Sequence, residues 1–297
     1  TFKVSEMAKK LKFPLQCIGI PKTVDNDLPY TDCSPGFGSV AKYVAISTLE
    51  AGLDVKSMAE TSTKVFILEV MGRHAGWIAA ASCLAASNQG DPPHIILLPE
   101  IPFERNKFIA RVKKTVKKYG YCVIVASEGT KTKAGKFLAD SGLTDAFGHK
   151  QLGGVAPVIS SMISKIGLKN HWAVADYLQR SARHIASKTD LDQAYAVGVQ
   201  AVKLAVAGKT AVMPVIKRLS DTPYKWQIGT APLKNIANIE KSVPRKFISK
   251  DGFAVTSAGR RYLNPLIQGE APTSFKHGIP EVALLKKSFV KKKLKKF

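Results

Sequence analysis

The chain has 297 residues, 45% of them apolar and 23% charged, which is the balance of a folded globular protein and not of a disordered one. That length allows one large domain or two ordinary ones, each with its own core. The longest nearly apolar stretch, Trp77 to Ala86, is too short to cross a bilayer and no charged-then-apolar leader opens the chain, so a soluble protein without a membrane partner is expected.

The net charge of +23 is unevenly spread. Residues 1–100 hold 9 basic and 10 acidic side chains, whereas residues 201–297 hold 20 and 5. The extreme is the tail, with Lys286, Lys287, Lys291, Lys292, Lys293, Lys295 and Lys296. Such a tail either attracts polyanions in a salt-dependent way or simply stays solvated. No basic face with interleaved aromatics and no nucleic-acid-binding motif accompanies it, so no specific nucleic-acid partner is expected. Cys17, Cys33, Cys83 and Cys122 stand singly, which argues against a zinc ribbon or a disulfide scaffold. Cys17, Cys83 and Cys122 lie in apolar surroundings and read as buried hydrophobes, which fits the cytoplasm.

In chain order, Thr1 to Lys12 reads as an amphipathic helix with Val4, Met7, Ala8 and Leu11 on one face. A buried strand is expected over Leu15 to Ile20, closed by Pro21. A second strand, Lys64 to Val70, leads through Gly72 into a small-residue helix, Ala75 to Ala86. A third apolar segment, His94 to Leu98, ends at Pro99. Arg105 to Tyr119 is helical, with Phe108, Val112, Val116 and Tyr119 inward and Lys113, Lys114, Lys117 and Lys118 toward water. Tyr121 to Ala126 is a strand running into Ser127-Glu128-Gly129. Strands alternating with helices in this way predict a parallel α/β sheet covered on both faces. Beyond Gly153 the texture changes to helices and turns: Asp192 to Ala207 is helical with Gly208 as C-cap, and residues 220–280 are loop-rich. No GxGxxG and no GxxxxGK loop is present, and an α/β chain that opens inside a helix leads us to expect a further section upstream.

Four polar constellations carry chemistry. Pro21-Lys22-Thr23-Val24-Asp25-Asn26-Asp27 follows a strand directly, where ligands bind in open α/β sheets. Two carboxylates two residues apart, beside an ammonium and a hydroxyl, suit phosphoryl transfer with magnesium, or else an Asx turn. Met71-Gly72-Arg73-His74-Ala75-Gly76-Trp77 marks a strand-to-helix junction, either an anion cradle or a tight turn. Ser127-Glu128-Gly129 puts a carboxylate at a strand end, suited to sugar hydroxyls, and Tyr177-Leu178-Gln179-Arg180-Ser181 offers a guanidinium for phosphate. Each of the last two, taken alone, is more often surface charge than a site.

In order and together, PKTVDND, EVMGRHAGW, SEGT and DYLQRSARHIASKTD resemble the phosphofructokinase family over roughly residues 11–200, and more weakly to the end. The resemblance implies an α/β fold of two doubly wound parallel-sheet domains, with the N-terminal part of the first, and its donor loop, lying outside this sequence. Residues 38–178 would bind fructose 6-phosphate, while 1–37 and 179–297 would complete the phosphoryl-donor domain and carry the Lys-rich tail. Asp25 matches the family's catalytic base toward the sugar 1-hydroxyl, and Thr23 and Asp27 match its companions around the phosphoryl group and magnesium. Met71, Gly72 and Arg73 match sugar-phosphate and transition-state contacts, Glu128 a holder of sugar hydroxyls, and Arg180 a clamp on the 6-phosphate. Tyr177 stands where bacterial ATP-using members have histidine. Lys64 and His171 stand where those members have arginines contributed by a neighbouring subunit, which implies a homodimer or homotetramer. Lys64, Tyr177 and HWAVADYLQRSARH look like the pyrophosphate-dependent branch. Lys22 replaces a glycine that leaves room for the nucleotide's α-phosphate, so pyrophosphate is the expected donor, although eukaryotic ATP-using members can carry this lysine too. The implied reaction makes fructose 1,6-bisphosphate, a step of glycolysis. The competing readings are an ATP-dependent enzyme, a non-catalytic sugar-phosphate-binding chain and, more distantly, a basic polyanion binder.

Overall fold

The structure, a computed structural model, describes residues 1–144, 150–152, 154–289 and 291. Four parallel strands form its centre: β1 (Val65–Val70), β2 (Ile95–Leu97), β3 (Cys122–Ser127) and β6 (Asn170–Val174), in the order β2-β3-β1-β6. Between β3 and β6 in sequence lie a small antiparallel pair, β4 (Asp140–Thr144) and β5 (Lys150–Leu152), and a helix, α5 (Val155–Ser164). Parallel strands need helical crossovers, and here they cover both faces. One face of β1 and β3 (Leu68, Val70, Val125) packs on α2 (Phe37–Met58) and α3 (Trp77–Ala81), through Phe37, Val40, Val44 and Ile78. The other face (Val65, Ile67, Ile124, Ala126) packs on α4 (Arg105–Tyr119) and α5, through Phe108, Val112, Ile159 and Ile163. The doubly wound parallel sheet is thus as expected.

The remainder of the chain differs from the sequence reading. Leu15 and Ile20 are exposed, and the segment expected as a buried strand makes a single parallel bridge, Ile18 to Val212. That bridge leads into β7 (Val212–Asp221), which pairs antiparallel with β8 (Tyr224–Pro232). The hairpin occupies part of what reads as loop: β7 opens on the run Val212 to Ile216, β8 alternates Tyr224, Trp226 and Ile228 with Lys225 and Gln227, and a turn containing Pro223 joins them. In the first helix, α1 (Phe2–Lys10), Ser5 and Ala8 are buried while Val4, Met7 and Leu11 face outward. The helix expected over Ala75 to Ala86 is α3 followed by a 3-10 turn, Ser82–Ala85. Helix α6 (Asp176–Ser181) follows β6, α7 spans Lys188–Val206 with Gly208 at φ +72° behind it, and α8 spans Ser257–Leu263.

Helix α2, the longest, has no counterpart among the expected elements. Its N-terminus is capped from α7: Asp190 accepts the Gly36 N–H (2.9 Å), the Ser39 N–H (3.0 Å) and the Ser39 hydroxyl (2.5 Å). All four cysteines are buried and unpaired, and burial pushes the thiols of Cys33, Cys83 and Cys122 up, away from reactive thiolate. No helix among the described residues is long and apolar enough to cross a membrane. Lys286, Lys287 and Lys291 are exposed; Lys292, Lys293, Lys295 and Lys296, like the expected boundary at Gly153, lie outside the described residues.

Two glycine substitutions test this packing with opposite signs. A Cβ on Gly38 would lie 2.5 Å from the Leu266 carbonyl oxygen, whereas one on Gly198 in α7 meets nothing within 4 Å. Gly38→Ala is therefore expected to lower the urea midpoint by ~2 kcal/mol equivalent, and Gly198→Ala to raise it by ~0.5–1 kcal/mol equivalent.

Candidate active site

The parallel register brings the carboxyl ends of β1, β3 and β6 to one edge, with Val70 opposite Ser127 and Glu69 opposite Val174. The chain leaving β1 turns at Gly72, whose φ of +130° and close neighbours (the Ala75 carbonyl oxygen 2.7 Å from a notional Cβ) admit no side chain. The Ser127 hydroxyl donates to the Gly72 carbonyl (2.5 Å), and the Glu128 carboxylate accepts the Gly72 N–H (3.3 Å). The expected Met71-Gly72-Arg73 and Ser127-Glu128-Gly129 motifs are thereby locked together. Arg73 lies half-buried here, and its Nε is buried without a partner among the described residues. A buried guanidinium N–H left open is a donor waiting for an anionic oxygen.

The Lys22–Asp27 loop joins the same cluster. The Thr23 hydroxyl accepts the Asp25 N–H (3.1 Å), which holds the loop's bend. Asn26, fully buried at φ +55°, anchors its far side: Oδ1 accepts the Ser34 N–H (3.0 Å) and Nδ2 donates to the Tyr262 hydroxyl (3.1 Å). With Asn26 turned inward, Asp25 and Asp27 are left half-buried on either side of it. Burial raises the Asp25 pKa, Asp27 adds to the rise, and Lys22, His74 and Arg180 pull against it. Glu128 is raised in the same way, by burial first and by Glu69 and Asp25 after it, against the Gly72 N–H and Arg73. Glu128 feels Asp25, which links the loop to the strand ends. A cavity of about 320 Å³ opens there, lined by Glu69, Val70, Met71, Glu128, Gly154, Val174 and Asp176.

Arg180 and Tyr177 sit on α6 at the rim, both exposed, with the guanidinium 4.7 Å from the tyrosine ring centroid. Lys22 is exposed on the loop. Lys64 and His171 do not join this cluster: they lie at the amino ends of β1 and β6, and the Lys64 ammonium donates to the carbonyls of Ala59 and Glu60. A larger cavity, about 370 Å³, lies at that same far end among His94, Arg111, Lys114 and Tyr119, so size alone would point away from the chemistry.

The phosphofructokinase family profile matches residues 1–205. The chain belongs to the phosphofructokinase family. It is 63% identical over 296 residues to a pyrophosphate--fructose 6-phosphate 1-phosphotransferase of Halomonas elongata, covering 99% of this chain and 71% of the relative. It is 56% identical to the enzyme of the same name from Methylococcus capsulatus, over 98% of this chain and 70% of that one. The crystal structure of a pyrophosphate-dependent phosphofructokinase from Marinobacter aquaeolei superposes with a TM-score of 0.90 at 57% identity, covering 99% of this chain and 71% of that chain.

Several residues that shape the site are assigned no role in the sequence reading. Glu69, buried within β1, accepts the Ala156 N–H at the start of α5 (2.8 Å) and is raised by burial. Glu100 accepts the Gly76 N–H (2.9 Å), and Lys241 reaches Asn26 from 215 residues away.

The raised carboxyls set a sign for stability against pH. A carboxyl raised in the fold contributes stability below its unfolded pKa, and that stability is lost as pH rises through the folded pKa. At neutral pH, ionised Asp25 is therefore a cost. Asp25→Asn is expected to melt at a higher temperature than the wild type at pH 7, with the difference vanishing toward pH 3. Equal melting at both pH values would mean that Asp25 is not buried as described.

Proposed function

We propose that this protein transfers a phosphoryl group from pyrophosphate to O1 of fructose 6-phosphate, giving fructose 1,6-bisphosphate and phosphate. What carries the reading is the placement, at the carboxyl ends of parallel strands, of a half-buried carboxylate of raised pKa and a buried guanidinium nitrogen without a partner among the described residues. The names of its relatives, at 56–63% identity over nearly the whole chain, support the same donor. Asp25 is the base: burial raises its carboxyl, and a carboxylate of raised pKa accepts a hydroxyl proton more readily. The freed sugar oxygen attacks phosphorus, the bond to the bridging oxygen of pyrophosphate breaks, and phosphate leaves with that oxygen. Arg73 stabilises charge on the transferring group. Thr23 shapes the loop, Met71 and Gly72 line the sugar-phosphate side, and Glu128 accepts from the sugar hydroxyls. Arg180, with Tyr177 beside it, clamps the 6-phosphate, and Lys22 receives a pyrophosphate oxygen. Because donor and product bonds are close in free energy, the reaction runs both ways.

Magnesium fits the donor set, since Asp25 and Asp27 are hard oxygen ligands whose mutual charge a cation would relieve. Asp27 would hold it, with phosphate oxygens and water completing the shell. When bound, magnesium neutralises charge on the phosphates. Residues 38–178 form the sugar side, and residues 1–37 with 179–297 belong to the donor side. Lys64 and His171 serve a neighbouring copy in a homodimer or homotetramer. Such an enzyme works in glycolysis in the cytoplasm.

Three substitutions test these roles by steady-state kinetics. Asp25→Asn should cut kcat by ~10³-fold or more while leaving fructose 6-phosphate binding within about threefold by calorimetry; retained turnover removes Asp25 as base. Arg180→Ala should raise KM for fructose 6-phosphate by ~10–100-fold with a smaller loss in kcat. Lys22→Gly should weaken pyrophosphate use selectively, and an equal loss with every donor would defeat its role.

A further inference from the structure

The segment 240–243 lies outside the matched region 1–205, yet it touches both loops of the site. The Lys241 N–H donates to the Asp27 carbonyl (2.6 Å), and the Lys241 carbonyl accepts the Trp77 indole N–H (2.7 Å). Two residues on, the Val243 N–H donates to Glu100 Oε1 (2.9 Å), the same oxygen that accepts the Gly76 N–H. Glu240 stands 3.9 Å from the His74 ring. The backbone of this segment therefore bridges the loop carrying Asp25 and the turn carrying Arg73.

The Lys241 side chain completes the bridge. Its ammonium donates to the carbonyls of Thr31 (3.0 Å) and Asp32 (2.9 Å) and to Asn26 Oδ1 (3.4 Å), and lies 5.4 Å from the Trp77 ring centroid. An ammonium has three donors, and three oxygens of one loop converge on it. Without a cation between them, three oxygen dipoles pointed at one spot repel, which loosens the 26–32 turn against its remaining bonds to Ser34, Ile216 and Tyr262. Asn26, one residue after Asp25, is the side chain common to this contact and to the bonds with Ser34 and Tyr262.

We propose that Lys241 is a positioning residue for the transfer step: it closes the 26–32 turn and ties it to Trp77, holding Asp25 at a fixed separation from Arg73. This rests on the function proposed above. It assigns Lys241 no contact with either substrate.

The test uses the complete natural protein, with Lys241→Met, and reads both hydrogen exchange and kinetics. Amides of residues 22–34 should exchange ~10-fold faster or more, with β1 and β3 unchanged. The kcat with pyrophosphate should fall ~30–100-fold, with KM for fructose 6-phosphate moving less than about threefold. In an Asp25→Asn background the same change should cost less than about twofold more, because a misplaced base cannot matter once the base is gone. A purely structural role would predict faster exchange in β1 and β3 as well, and a further loss in that background. Lys241→Gln, which keeps a polar tip and the backbone bonds, covers a methionine variant that does not fold and should show the same pattern more weakly. Unchanged exchange over 22–34, or a wild-type kcat, overturns the proposal. A wild-type protein without turnover defeats the reading of the site instead, and the exchange comparison still decides whether Lys241 orders the loop.

Discussion

The parallel register of β1 with β3 on one side and β6 on the other brings three strand ends to a single edge. Each end delivers a group: Glu69, Met71 and Gly72 from β1, Glu128 from β3, and the rim helix with Arg180 from β6. A sheet with antiparallel neighbours would send half of these groups to the opposite end. The Lys22–Asp27 loop closes on that edge, anchored by a buried asparagine and by contacts from residues more than 200 positions later. Binding at such an edge is the common solution for open α/β sheets, because loops there are supported by strands but not consumed by the ladder.

The electrostatics of the site suit the proposed reaction, which takes up phosphates and moves a proton. Asp25, Glu69 and Glu128 are all pushed up by burial, and Glu69 and Asp25 add to the rise at Glu128. Carboxylates alone would repel a sugar phosphate and pyrophosphate. The offsetting charges are Lys22, Arg73 and Arg180, drawn from three different segments of the chain. The overall charge of +23 has little to do with this balance, since the first hundred residues, which carry most of the site, are close to neutral. The lysines of α4 face water on the outer surface, and the tail lysines that are described are exposed.

Much of the sheet was legible in the sequence because its signals are local. Helix α4 occupies the expected Arg105–Tyr119, since its apolar and lysine faces separate cleanly along one amphipathic period. Strands β1 to β3 are short apolar runs closed by Gly or Pro. Helix α2 was not legible: it is packed on several sides, with Lys42 and Thr48 buried among apolar residues, so its periodicity is blurred. Leu15 to Ile20 misled for the opposite reason: Leu15 and Ile20, the apolar ends of the run, face outward, and the run makes a single bridge. The hairpin of β7 and β8 was hidden by Pro214 and Pro232 within its strands. Among the site residues, the four motifs placed Asp25, Arg73, Glu128 and Arg180 near one edge. Lys241 and Glu100 act through space on loops far away in sequence, and nothing local marks them.

The chemistry and the donor are tested together by one assay on the complete natural protein. Fructose 6-phosphate and magnesium are incubated with pyrophosphate or with ATP in parallel, and fructose 1,6-bisphosphate is measured. Product with pyrophosphate and none with ATP is the predicted result. Product with ATP alone would contradict the reading of Lys22, and no product with either donor would leave a sugar-phosphate-binding chain without the transfer step.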